Sequence, residues 1–100
     1  MVTLIRSSIF DTWLSELADT KAKARILARL RSASLGNFGD CAPIGDGVSE
    51  MRVHTGPGYR VYFTRRGSTT WLLLTGGDKS SQQSDIGRAK RMSAELKEKK

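Results

Sequence analysis

Gly56-Pro57-Gly58-Tyr59-Arg60-Val61-Tyr62-Phe63 is the stretch on which the fold turns, with Glu50-Met51-Arg52-Val53-His54 before it and Gly76-Gly77-Asp78-Lys79 after it. A turn of Gly, Pro and Gly between two runs that alternate in polarity is the pattern of a hairpin with one buried and one open face. Met51 and Val53 fall on one face, and Glu50, Arg52 and His54 on the other. On the returning run Tyr59, Val61 and Phe63 separate in the same way from Arg60 and Tyr62. Arg52, His54, Arg60 and Tyr62 are therefore expected together on one open sheet face, with the rest of the chain as their scaffold.

Working outward, residues 48–54, 59–65 and 69–75 read as three strands, the last two joined by Arg65-Arg66-Gly67-Ser68. Trp71-Leu72-Leu73-Leu74 is apolar on both faces, so this strand is expected inside the sheet and covered on both sides. Residues 37–47 shift to Gly, Asp and Pro and read as a connecting loop. Before them, residues 2–6 are β-prone and suit an edge or first strand. Ser8 offers an N-cap for a helix with Ile9, Phe10, Trp13, Leu14 and Leu17 at helical spacing. Asp19 or Thr20 starts a second helix whose apolar stripe is Ala22, Ile26, Leu27, Leu30 and Ala33, closed by Gly36. After Gly77, Ser80 and Gln83 form a capping box for a last helix along Ile86, Ala89, Ser93 and Leu96, with a polar tail from Leu96 to Lys100 expected to fray. The predicted core is Trp13, Leu17, Ile26, Leu30, Met51, Val61, Phe63 and Leu73.

That order describes an α+β fold: a twisted, mainly antiparallel four-stranded sheet with two N-terminal helices on one face and a C-terminal helix. One hundred residues with 38% hydrophobic content suit a single domain over residues 1–100. A formal charge of +7 points to an anionic partner, with nucleic acid, an acidic protein and a membrane surface as the options. Cys41 is the only cysteine and His54 the only histidine, which excludes an internal disulfide, argues against a zinc site and fits a reducing cytoplasm. The first residues, Met-Val-Thr-Leu-Ile-Arg, match neither a signal peptide nor a membrane span. A soluble cytoplasmic protein without cofactor or metal is the expectation.

At four places the chain resembles the RelE/ParE toxin superfamily, in its HigB-like branch of addiction-module killer proteins. They are Leu35-Gly36-Asn37-Phe38-Gly39-Asp40, Gly47-Val48-Ser49-Glu50-Met51-Arg52-Val53-His54, the hairpin residues 56–63, and Leu74-Thr75-Gly76-Gly77-Asp78-Lys79-Ser80-Ser81-Gln82. They run in order over almost the whole chain. The resemblance implies a toxin encoded beside an antitoxin and, for RelE-type members, cleavage of mRNA on the ribosome. ParE-type members instead poison DNA gyrase.

Metal-free RNA cleavage needs attack of a 2′-oxygen on the adjacent phosphorus, removal of its proton, cationic support for the phosphorane and protonation of the leaving oxygen. Arg60 suits the phosphorane, because a guanidinium is permanently charged and grips two oxygens; pairing with Glu50 across the sheet is its structural alternative. By the resemblance, Arg52 and His54 match basic positions on the preceding strand and Lys79 a basic position after the last strand. His54 is the side chain suited to proton transfer. The C-terminal tyrosine of well-studied relatives is missing, and Tyr62 is the candidate to stack on a base, its alternative being burial under the last helix. Lys21, Lys23, Arg25, Arg29 and Arg65 are candidate RNA-phosphate contacts, or simply a solvated charged surface.

Three functions stay open: a ribosome-dependent endoribonuclease toxin, a gyrase poison without nuclease chemistry, and a non-catalytic RNA- or ribosome-binding module. The cations gathered on one sheet face favour the first. Expected partners are the ribosome, mRNA and an adjacent helix-turn-helix antitoxin that is at least locally acidic.

Overall fold

In the computed structural model, which describes residues 1–98, the elements run β1 (Thr3–Arg6), α1 (Ser8–Glu16), α2 (Thr20–Ser34), β2 (Cys41–Gly45), β3 (Val48–Val53), β4 (Tyr59–Arg65) and β5 (Thr70–Asp78), then a 3₁₀ turn (Lys79–Ser81) and α3 (Gln82–Glu98). The α+β class is as expected. The sheet differs from expectation in strand number: it has five strands, ordered β1-β5-β4-β3-β2, with β1 parallel to β5 and the other pairings antiparallel.

The fifth strand comes from the segment read as a loop. Asp46 and Gly47 both take positive φ (56° and 76°), the backbone that a two-residue hairpin turn demands, and this turn folds β2 back along β3. Pro43 is tolerated there because β2 lies at the edge of the sheet. Composition alone hid the strand, since Gly and Pro mark loops and edge hairpins alike.

Helix starts are set by side-chain oxygens, at the expected place for α2 and one or two residues away from it for the other two. Ser7, not Ser8, caps α1 by accepting from the Phe10 N–H, and Asp19 caps α2 from Ala22. Asp78, rather than Ser80, caps the 3₁₀ turn that leads into α3. Gly36 takes φ 97° just past α2, as a helix-closing glycine does. α3 continues to Glu98, past the start of the expected fraying at Leu96; the part of that expectation that concerns Lys99 and Lys100 lies outside the described residues.

One sheet face is packed by α1 and α2. Phe10, Leu14, Ile26, Leu30, Met51, Val61, Phe63 and Leu73 are buried there as a single apolar cluster. Trp13 and Leu17, expected inside, are half-buried at its margin, while Phe10 and Leu14 take the central positions; Leu27 stays exposed. The helix stripe is thus rotated toward the inner pair. The opposite face, expected to be open, is covered along β5, β4 and β3 by α3, where Val48, Tyr62, Leu72, Leu74 and Ala89 form a second cluster. The continuous apolar run of β5 has apolar packing on both faces, as its sequence indicated.

Two glycines late in β5 permit the helices to close on the sheet. A Cβ at Gly76 would fall on the Trp13 ring of α1, and one at Gly77 on the Asp85 carboxylate of α3.

Candidate anion-binding cleft

The β3–β4 register determines what stands beside what. Val48 pairs with Thr64, Glu50 with Tyr62, and Arg52 with Arg60, so alternate residues lay Glu50, Arg52, Arg60 and Tyr62 on the α3 side of the sheet. α3 covers the Tyr62 end of this block and leaves the arginine end facing a cleft of about 460 Å³ lined by Arg52, His54, Gly58, Arg60 and Lys79. Gly58 forms part of its wall with φ 85°; its carbonyl accepts the Lys79 N–H at 3.1 Å, and the lysine stem runs beside the missing side chain. The four residues proposed from sequence as catalytic are therefore brought together from β3, the segment after it, β4 and the 3₁₀ turn.

Arg60 is the most enclosed of them. Its side chain is 14% exposed, its Nε lies 3.6 Å from Glu50 Oε1, and at that separation the contact is a charge pair rather than a hydrogen bond. Among the described residues Arg60 Nε, Glu50 Oε1 and the Tyr62 hydroxyl are buried polar atoms without a hydrogen-bond partner. Glu50 uses its other oxygen to accept from Arg52 Nε at 2.9 Å. That hydrogen bond is the main reason the Arg52 guanidinium is held even more firmly protonated than usual.

His54 is exposed at the rim. Its Nε2 meets Asp40 Oδ2 at 2.6 Å, and Asp40 Oδ1 is 3.3 Å from Arg52 Nη1. The hydrogen bond from His54, followed by the nearby Arg52 charge, holds the Asp40 carboxyl below its ordinary range against the opposing effect of desolvation. Nothing in the sequence signalled this contact, because Asp40 lies in the stretch read as loop and meets His54 only once β2 is paired.

Tyr62 does not offer its ring to a ligand. It is fully buried against α3, and burial pushes its phenol up to about 12. The alternation placed it on the correct face; the cover supplied by α3 removes the proposed base-stacking role.

The remaining candidate RNA contacts are scattered. Arg29 is spent on structure: it donates to the carbonyls of Arg52 and, at 3.0 Å, of Phe38, tying α2 to the β3 end. Lys23 reaches the Ser15 carbonyl at 3.4 Å, and Arg65 lies over the Trp71 ring, 5.2 Å from its centroid, at the opposite end of β4 from the cleft. Lys21 and Arg25 are exposed. Arg25 lines a smaller groove of about 190 Å³ that shares His54 with the main cleft.

Fold and site together define a small basic α+β domain with a cation-lined cleft at one end of its sheet. The chain is 47% identical over 87 residues to an uncharacterized protein of Haemophilus influenzae, in an alignment spanning 87% of this chain and 88% of that one, and it belongs to the same family as that protein. No family model matches the chain. Among the described residues, no helix is long and apolar enough to cross a membrane.

Proposed function

We propose that this chain is a RelE/ParE-type toxin, a metal-independent endoribonuclease that cleaves mRNA on the ribosome in the cytoplasm and is neutralised by an acidic helix-turn-helix antitoxin encoded beside it. The observation that carries the reading is the Arg52–Arg60–Lys79 cleft, with a largely buried Arg60 that lacks a hydrogen-bond partner at Nε among the described residues. A desolvated cation short of partners costs stability, and an anionic ligand is what offsets that cost.

In this role the 2′-oxygen forms a bond to the adjacent phosphorus as the bond from phosphorus to the 5′-oxygen breaks, leaving a 2′,3′-cyclic phosphate and a 5′-hydroxyl. Arg60 and Arg52 face the charge that builds on the phosphorane. The His54 imidazole accepts the 2′ proton, held in orientation by Asp40, and the Lys79 ammonium donates a proton to the departing 5′-oxygen. No buried tyrosine takes part, which sets this site apart from relatives with a functional C-terminal tyrosine.

Mapping RNA ends after brief induction tests the reading. New 5′-hydroxyl ends within translated messages are expected. A folded Arg60→Ala protein should neither cleave nor arrest growth, and Arg60→Lys should recover little, because a point charge does not reproduce the two-pronged grip. Full toxicity of folded Arg60→Ala, or arrest with DNA breaks and no new RNA ends, would sink the nuclease reading, the latter in favour of gyrase poisoning.

A further inference from the structure

Glu50 is the carboxylate that touches both arginines of the cleft. Its side chain is only 7% exposed, it stands directly opposite Tyr62 on β4 and diagonal to Arg60, and it meets Arg52 through a hydrogen bond and Arg60 through charge alone. Each arginine is approached at Nε, Arg52 by Oε2 at 2.9 Å and Arg60 by Oε1 at 3.6 Å. A guanidinium held at Nε keeps its pair of Nη atoms for a second partner. On Arg52 one of these is shared with Asp40 at 3.3 Å; on Arg60 neither meets an acceptor among the described residues.

We infer that Glu50 is a positioning residue: it anchors Arg52 by a hydrogen bond at Nε and holds the Nε side of Arg60 by charge, so that the remaining Nη donors face a single phosphodiester group in the cleft. This rests on the reading of the cleft as an RNA site and specifies how its two arginines act. Tyr62 contributes by enclosure. Its ring, fully buried beside Glu50 under α3, keeps water from the carboxylate, and in such surroundings the hold on each arginine is stronger than at an open surface. Without an anchor, two long flexible side chains must be ordered each time an anion binds; with one, most of that ordering is already done.

The alternative is that Glu50 merely neutralises two cations, and the two accounts predict opposite signs. Glu50→Gln makes the cleft more positive by one charge. If the carboxylate only neutralises, anions should bind the variant more tightly. If it positions, phosphate and a short RNA blocked by a 2′-deoxy sugar at the scissile position should bind roughly tenfold more weakly despite the added charge.

The test titrates inorganic phosphate and that oligonucleotide into wild type and Glu50→Gln, with near-ultraviolet circular dichroism to confirm the fold. In the wild type alone, the arginine Nε–H protons are followed by NMR and assigned with Arg52→Lys and Arg60→Lys. The expected result is two slowly exchanging Nε–H protons that shift with phosphate, together with weaker binding by the variant. Tighter or unchanged binding by folded Glu50→Gln overturns the inference. So does the absence of protected Arg52 and Arg60 Nε–H protons in the wild type, a result that needs no variant to fold. If the wild type shows the expected protons and anion binding yet cleaves no RNA in translating extracts, the positioning role stands and the nuclease reading falls.

Discussion

On the α1/α2 side of the sheet, Met51, Val53, Val61, Phe63 and Leu73 meet Phe10, Leu14, Ile26 and Leu30 with hardly a polar atom among them. On the α3 side, the alternate positions of the same strands begin in the same manner, with Val48, Tyr62, Leu72 and Leu74 under Ala89. Past Tyr62 they turn into Glu50, Arg52 and Arg60. Two neighbouring strands thus carry a core on one face and, on the other, a packed region that ends in unsatisfied buried polar atoms. The contrast teaches that stability and ligand recognition are divided by residue parity along β3 and β4, so that the two ought to respond separately to substitution.

The largest expected effect comes from the apolar face. Phe10 is fully buried, and Phe10→Ala should cost roughly 3–5 kcal/mol, a large share of the total stability of a small domain. Leu30→Ala, in a nearly buried position, should cost roughly 2–5 kcal/mol. Urea midpoints measure both losses. Phosphate affinity per folded molecule should stay that of the wild type, and if it falls along with the midpoint, the two faces are not independent.

Next in size is Tyr62, where the two faces differ in kind. Its buried hydroxyl has no partner among the described residues, so Tyr62→Phe should stabilise the fold by roughly 1–3 kcal/mol instead of weakening it. A loss of stability would reveal a buried water bridging the hydroxyl to Glu50. The phenol's pKa is raised to about 12 in the fold, against about 10 unfolded. A group whose folded pKa is raised contributes stability that is fully present below the unfolded value and is lost as pH rises through the folded one. Wild type should therefore lose roughly 2–3 kcal/mol relative to Tyr62→Phe between about pH 10 and 12, and equal slopes for the two proteins would show that the ring is solvated.

How much of this was legible in the sequence follows from which signals are local. Alternation on either side of Gly56-Pro57-Gly58 placed Arg52 and Arg60 side by side, because a strand's period of two survives any tertiary context. Lys79 joined them through the chain reversal that brings its N–H to Gly58. β2 was missed because Asp46-Gly47 is a hairpin signal only when flanked by strands, and Cys41-Ala42-Pro43-Ile44 has little strand character. The open face was misjudged because the stripe Ile86, Ala89, Ser93 and Leu96 is weakly apolar; small Ala89 and Ser93 are buried by fitting close to the sheet, which hydrophobicity does not register. Arg29 looked like part of a basic surface, and only the folded β2–β3 edge reveals that it grips the carbonyls of Arg52 and Phe38.

The smallest expected effect belongs to the cleft's rim, and it separates exposed charge from buried charge on the same side of the sheet. Asp40 and His54 are closely hydrogen-bonded but open to water, their side chains 43% and 75% exposed. A carboxyl held below its ordinary range in the fold contributes stability that is present above the unfolded pKa of about 3.9 and is lost as pH falls through the folded value. Asp40→Asn should remove that acid-side contribution and nothing on the alkaline side, where Tyr62 acts. The effect should be slight and should shrink with added salt, because exposed pairs are screened. Acid unfolding of wild type and Asp40→Asn at two ionic strengths measures it. Identical acid limbs at low salt would mean that the rim is held by main chain alone, through the Arg52 N–H on the Asp40 carbonyl at 2.9 Å and the carbonyl grip of Arg29. In that case Glu50 would be the one carboxylate whose charge matters to the cleft.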